Sequence, residues 1–461
     1  MSAKRPWVVL PDLLSVRVFV DTGILRGLHE RLDGRLVAVL LVPQDAAAEW
    51  AGRLDDIPVL RGDELLAPNG VPDRAFGRVD AWLDRRIGYH PLAIRLNHRH
   101  GFHRERMQPG HPNWMLDTDR DGPLPHWPRV DRAMERWFFG ARRHVPARLL
   151  EAMRRECSGL LLSNVQPASA VPFLAAARRE EIPVVGHVAS WDHTVGKGVI
   201  SPHCALYIVQ NRLMEDDLRR YHGIAPDRVR VTGWPQTDLF HRRRPRSEYE
   251  ELLRRLGLDP RRPLVLVAGN TPSNAPYEGR FVERIVSWRE EQGGGERLQL
   301  LFRPHPRDGQ WEERFAAASG REGVVVQEPS YTDLEALATL LQHADAVVCN
   351  AGTILLDALV GDRPAVCVLY DEGAPPGESW AAKNVVGEHY QELAASGAFH
   401  RAERFEEVVA GVERALAYPG ELAAERRRAV ERVVGSVDGH AAERVVDAAV
   451  EALGRESSPR S

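Results

Sequence analysis

Leu340 to Leu369 reads LLQHADAVVCNAGTILLDALVGDRPAVCVL, and this stretch decides the fold. Ala346 to Cys349 is a short apolar run, the pattern of a buried strand in a parallel sheet. Asn350 ends it, Ala351-Gly352-Thr353 turns the chain, and Ile354 to Val360 has helical apolar spacing. Gly361-Asp362-Arg363-Pro364 stops that helix, and Ala365 to Leu369 starts another strand. The result is a strand–turn–helix–strand unit with small residues where the first strand ends. Such a turn offers backbone N–H groups at a helix N-terminus, where the dipole also favours an anion. Thr353 adds a hydroxyl, and Asp357 lies four residues on, on the same helix face and one turn deeper. A diphosphate at the turn, with a sugar hydroxyl reaching Asp357, uses all of these groups. An ordinary Thr N-cap followed by an acid that complements the dipole uses them equally well, so the rest of the chain must choose.

At 461 residues the chain exceeds one ordinary core, and two domains are expected. A net charge of −4, from 61 basic and 65 acidic residues, excludes a general nucleic-acid binder. With no leader-like or membrane-length apolar run, the expected setting is cytoplasmic, with peripheral contact at the inner membrane face left open. Cys157, Cys204, Cys349 and Cys367 form no C-x-x-C pair and read as structural thiols in a reducing compartment.

Working back to the N-terminus, Trp7 to Leu10 reads as a strand, Phe19 to Leu32 as a helix and Leu36 to Val42 as a strand. This βαβ opening starts a doubly wound domain, and Asp12, Ser15 and Arg17 fall where such folds bind ligands. From about Gly70 to Pro128 the pattern breaks into an irregular insertion containing His90, His98, His100, His103, His111 and His126. The histidines lack metal-ligand spacing, and Asp117, Asp119 and Asp121 open a calcium-type loop whose twelfth position is Pro128, so no metal is expected. Further strands follow at Gly159 to Ser163, Pro183 to Val188, Ala205 to Gln210 and Arg228 to Thr232. The loop after the second of these crowds His187, Trp191, Asp192, His193 and Lys197 together. Asp192 and His193 are candidate bases there, and Arg17, His187, Trp191 and Lys197 candidate acceptor contacts. A strand-to-strand turn with a Trp anchor is the plainer alternative.

Arg242 to Arg246 reads as a linker, which places the domains at 1–240 and 241–461, the second including the helical C-terminus. Beyond it the βα pattern restarts. Strands at Leu264 to Ala268, Gln299 to Phe302 and Ala346 to Cys349 end in Thr271/Ser273, Arg303/His305 and Asn350/Thr353 respectively. Three strand ends thus aim polar groups at one sheet edge, which suits a diphosphate.

These pieces carry a resemblance. Ser190 to Gly198 (S-W-D-x-x-x-x-K-G), Asp227 to Phe240 (D-R-V-x-V-T-G-x-P-x-x-D-x-F), Arg303 to Pro306 (R-P-H-P) and Ala344 to Leu359 resemble GT-B-fold enzymes. Asp438 to Val445 (D-G-x-A-A-E-R-V) is similar to the closing helix of bacterial glycosyltransferases of this kind. The nearest groups are surface-carbohydrate glycosyltransferases, CDP-glycerol glycerophosphotransferases and UDP-N-acetylglucosamine 2-epimerases. The resemblance implies two Rossmann-like domains facing a central cleft, the second holding a nucleotide donor. It also implies that Gly352 and Thr353 meet the donor diphosphate, Asp357 the ribose, and His305 the phosphates or the departing oxygen.

The chain departs from these groups in three places. It has Asn350-Ala351-Gly352-Thr353 where the glycerophosphotransferases have Asp-Tyr-Ser-Ser, and it lacks both their E-H-G and the epimerases' H-V-E-A-G-L-R. These departures favour a nucleotide-sugar glycosyltransferase, with a UDP-sugar as one such donor and the base left open, and the resemblance implies that it works without a metal or any cofactor beyond its donor. Its acceptor is a carbohydrate, a lipid-linked sugar or a natural product. A CDP-glycerol-type phosphopolyol transferase, an epimerase and a non-catalytic carbohydrate binder are the alternatives.

Overall fold

The structure, a computed structural model, describes residues 4–83, 133 and 136–454. Short gaps fall at 55, 141–142, 167, 197, 273, 294–296, 376–380 and 382–387. The described strands form two all-parallel sheets. The first contains β1 (Arg5–Leu10), β2 (Val37–Leu40), β3 (Val59–Arg61), β4 (Cys157–Leu162), β5 (Val184–His187), β6 (Leu206–Val209) and β7 (Val229–Val231). The second contains β8 (Leu264–Ala268), β9 (Gln299–Arg303), β10 (Val324–Val326), β11 (Ala346–Asn350), β12 (Ala365–Val368) and β13 (His400–Ala402). Their orders are β3-β2-β1-β4-β5-β6-β7 and β10-β9-β8-β11-β12-β13. Central strands such as Leu160–Leu162, Leu264–Leu266 and Ala346–Val348 are wholly buried, because helices cover both faces of a parallel sheet.

Each order reverses once, between β1 and β4 and between β8 and β11. At such a reversal the connections leave in opposite directions and open a crevice beyond the carboxyl ends of the strands. In the second sheet Ala268 is level with Arg303 on one side and with Cys349 on the other. The loops carrying Thr271, His305 and Thr353 therefore start at the same height on adjacent strands.

The chain divides into two compact units. The described residues up to Asp238 and from His440 onward form one, and Leu239–Gly439 lies in the other. This differs from a second domain running to 461, because the last helix, Ala441–Gly454, packs on the first sheet. The Asp238 carboxylate accepts the N–H groups of Ala441 (3.0 Å) and Ala442 (2.7 Å), and Arg444 Nε donates to the Thr232 carbonyl at 2.6 Å. Glycines make room for it: a Cβ on Gly27 would lie 3.1 Å from Val446, and one on Gly159 2.8 Å from Leu453. Two of the motifs that carried the resemblance thus bind each other.

Other details also depart from the sequence reading. The helix expected over Phe19 to Leu32 is two helices, Leu13–Asp21 and Ile24–Arg31, broken at Gly23, whose φ is +77°. A helix, Val71–Leu83, occupies the start of the supposedly irregular insertion. The six histidines of that insertion and Asp117, Asp119 and Asp121 lie outside the described residues. Arg244 is not part of a solvated linker. It is buried, its N–H donates to Gln342 Oε1 at 2.9 Å, and its guanidinium pairs with Glu335. All four cysteines are buried and free, and burial pushes the thiols of Cys157, Cys204 and Cys367 up to about 12. No described helix is long and apolar enough to cross a membrane.

Candidate functional site

The two sheet edges treat the anion position of a helix N-terminus in opposite ways. In the first unit, Asp12 caps the helix Leu13–Asp21, its carboxylate accepting the Ser15 N–H at 2.8 Å. A negative group already occupies that N-terminus, which leaves it no use for a phosphate. In the second unit the helix Thr353–Val360 has Gly352 at its N-cap, no capping side chain and no acid in its first turn. Gly352 and Thr353 are half-buried at the crevice between β8 and β11. This end retains its amides and its positive dipole for a ligand.

Around it stand the neighbouring loops. His305 follows β9, and its Nδ1 accepts the Arg307 N–H at 3.0 Å. A backbone N–H can only donate, so Nδ1 is the acceptor and in the neutral ring the proton sits on Nε2. Thr271 is fixed in a turn, its N–H donating to Asn270 Oδ1 at 2.8 Å and its carbonyl accepting from Ala275 at 3.0 Å. Asn350 donates through Nδ2 to the Val368 carbonyl at 3.3 Å, tying the end of β11 to β12. A cavity lies over the ends of β8, β11 and β12, with Ala268, Tyr277, Glu278, Asn350, Tyr370 and Glu372 in its wall.

Two donor-side residues take other places than expected. Arg303 donates to Gln327 at 2.7 Å and pairs with Asp333 at 2.7 Å, so its charge is matched within the protein. It pins the end of β9 rather than presenting a cation. Asp357 is only 3% exposed, so it belongs to the packed side of its helix more than to an open ribose contact. Ser273 lies outside the described residues.

On the first unit's edge, the expected acceptor contacts are mostly core. Arg17 and Trp191 are buried. His187 is buried too, with Nδ1 2.7 Å from the Ser163 carbonyl and its ring edge-on to Phe19 at 5.5 Å. Burial pushes its imidazole down to about 4, so it is neutral at physiological pH, with the proton on Nδ1. Asp192 and His193 remain half-buried at the start of the short helix His193–Gly196, and the Ser190 hydroxyl donates to Asp192 at 2.5 Å. Gln166, which no sequence pattern marks, anchors this loop by donating to the carbonyls of His193 (3.0 Å) and Gly198 (2.8 Å). Lys197 lies outside the described residues. Among the described residues, no group of three or more His, Cys, Asp or Glu is placed to hold a metal.

Sequence reading also missed the buried cluster beneath the second unit's loops. Arg314, on the helix Trp311–Arg314, pairs with Glu278 (2.7 Å) and Asp308 and donates to the carbonyls of Asn270 (2.9 Å) and Ala275 (2.7 Å). Burial pushes the Glu278 carboxyl up, while the Arg314 guanidinium and the Asn270 N–H pull it back down. Gly269 lets the loops meet: a Cβ there would lie 2.8 Å from Phe315 and 3.2 Å from Pro304 Cα.

Residues 192–451 match the family of CDP-glycerol:poly(glycerophosphate) glycerophosphotransferases. The chain belongs to this family. No curated protein sequence matches it. In structure it is similar to a putative UDP-N-acetylglucosamine 2-epimerase from Listeria monocytogenes, with a TM-score of 0.56 at 13% identity over 100% of this chain and 99% of that one. It is also similar to MnaA of S. aureus in a co-structure with UDP, with a TM-score of 0.55 at 11% identity over 100% and 99% of the two chains. The wall teichoic acid polymerase TagF is similar over 68% of this chain and 78% of its own at 13% identity, with a TM-score of 0.47. At such identities these structures speak for fold alone. This glycerophosphotransferase-family chain has the expected α/β, GT-B-like pair of doubly wound sheets, and it is a member of a transferase family.

Proposed function

We propose that the protein transfers a phosphorylated polyol from a cytidine-diphosphate donor to a hydroxyl-bearing acceptor, with the donor's diphosphate at Gly352-Thr353. The observation that carries this reading is the uncapped, acid-free helix N-terminus at the β8/β11 crevice of a glycerophosphotransferase-family chain. The sequence reading puts nucleotide-sugar transfer first; membership of this family supports the phosphopolyol reading. In the reaction, an acceptor hydroxyl oxygen attacks the phosphorus that bears the polyol. The bond from that phosphorus to the bridging oxygen breaks, and the nucleoside monophosphate leaves with the electron pair. The first-turn amides and the His305 Nε2–H stabilise the growing negative charge. The acceptor hydroxyl gives up its proton to a general base as the new bond forms. No step needs a charge from Arg303, which Asp333 already neutralises.

Nucleotide-sugar transfer is kept as a second reading because Asn350-Ala351-Gly352-Thr353 departs from the family's Asp-Tyr-Ser-Ser. A similar fold seen with UDP is in keeping with either donor. Product analysis separates them: CMP release from CDP-glycerol or a related CDP-polyol supports the proposal. Nucleoside diphosphate release from a nucleotide sugar, with no CMP from any CDP-polyol, overturns it. His305→Ala should slow the productive reaction by roughly 100-fold, the size of losing one preorganised donor.

A further inference from the structure

Two of the loops that the proposed donor site uses are held by one guanidinium. Arg314 is buried, with a side-chain exposure of 9%, and so are its partners Glu278 (7%) and Asp308 (0%). It grips the β8 loop at both ends, through the Asn270 and Ala275 carbonyls. Glu278, which it neutralises, accepts the Asn270 N–H at 2.9 Å, so the turn carrying Thr271 is clamped on its N–H side as well. The same guanidinium pairs with Asp308 of the β9 loop. Asp308 in turn donates its N–H to the His305 carbonyl at 2.8 Å, while the Arg307 N–H sets the His305 ring. Gly269 between these loops has no room for a side chain, so their spacing is fixed by close packing as well as by charge.

We propose that Arg314 is a positioning residue: through Glu278 and Asp308 it fixes the distance between the Thr271 turn and His305 at the nucleotide site. This rests on the donor-site reading above. A planar five-donor fork suits the task, since it reaches two carboxylates and two carbonyls at once. A lysine in its place keeps the charge but cannot span the four acceptors. Arg314→Met removes the charge and every donor at once, leaving the Glu278 and Asp308 side chains and two carbonyls without their partner, which is why it is the harsher change.

The test uses the full chain with Arg314→Lys, Arg314→Met and Glu278→Gln. It reads melting temperature, CDP affinity by calorimetry, and hydrogen exchange at 269–275 and 304–308. Arg314→Lys should stay folded yet weaken CDP binding by roughly 10- to 100-fold, the penalty of loosening a site by about an ångström. Its exchange should rise in both segments and not in β4 or β5. Glu278→Gln keeps the side chain's size but offers one acceptor where the carboxylate offers two, so its exchange should rise at 269–275 as well. A folded Arg314→Lys protein with wild-type CDP affinity, or with exchange unchanged in either segment, overturns the proposal. If wild-type protein fails to bind CDP, the donor-site reading fails, whereas the exchange measurement still decides whether Arg314 couples the two loops. Should Arg314→Met not fold, the lysine and glutamine variants carry the decision.

Discussion

Asp238→Ala should release the last helix from the first unit. The carboxylate accepts the N–H groups of Ala441 at 3.0 Å and Ala442 at 2.7 Å, the first turn of the helix Ala441–Gly454. Deleting a helix cap costs about 0.5–2 kcal/mol, and a hydrogen bond to a charged group contributes about 1.5–3 kcal/mol. Burial decides between these ranges. Ala441 is 0% and Ala442 9% exposed, so water reaches the abandoned N–H groups poorly and the upper part of the capping range applies, about 2 kcal/mol. Asp238→Asn keeps one acceptor oxygen and loses the charge facing the helix dipole, so about 1 kcal/mol is expected. Hydrogen exchange over 441–454 should accelerate by roughly 30-fold in the alanine variant. With a urea m-value of about 2 kcal/mol/M, the first unit's unfolding midpoint should fall by about 1 M while the second unit's stays put. The reasoning is refuted if 441–454 exchanges as in wild type, or if the second unit's transition moves instead.

Two further outcomes follow from single groups. His187 has a folded-state pKa of about 4, below the ordinary 6.5, so the unfolded chain binds the extra proton first. Its contribution is complete above pH 6.5 and is lost as pH falls toward 4, roughly 3 kcal/mol in all, and His187→Gln should flatten that limb of the stability–pH curve. Gly361→Ala would set a Cβ 2.1 Å from the Leu341 carbonyl oxygen, a backbone atom that cannot swing aside. A loss of about 3 kcal/mol, at the upper end for overpacking, is expected in the second unit's denaturation curve. A wild-type midpoint would mean the two helices part more easily than their packing suggests.

Why some of this was legible in sequence and some was not comes down to what each residue answers to. Buried parallel strands are written in local composition: Leu264 to Ala268 and Ala346 to Cys349 are apolar because both faces are covered, and the structure keeps them nearly to the residue. The short edge strands Val59–Arg61 and His400–Ala402 carry no such signature, since each is only three residues long and contains a charged or polar residue, VLR and HRA. The level strand ends of the second sheet follow from the βα order, so the loops of Thr271, His305 and Thr353 could be gathered in advance. What a side chain does there could not. Arg303 reads as a phosphate ligand until Asp333, thirty residues on, is seen to neutralise it. Asp308 and Arg314 look like ordinary loop and helix charges until Glu278 arrives from another element. A reactive residue type marks potential, whereas its long-range partners determine whether the potential is spent within the protein.

The family match runs over residues 192–451 and so takes in part of the first unit as well as the second. Its first segment ends at Asp238 and its last begins at His440, and both lie in the first unit. They are joined there by the Asp238 cap and by Arg444 on the Thr232 carbonyl. The chain segments on either side of 239–439 are therefore hydrogen-bonded to each other within the first unit. Motifs such as G-x-P-x-x-D and D-G-x-A-A-E-R-V specify that junction, and R-P-H-P and the Gly352-Thr353 turn specify the proposed donor edge. Substitutions in the junction should accordingly move the first unit's stability, while substitutions at the edge should move nucleotide affinity with little change in either unit's unfolding.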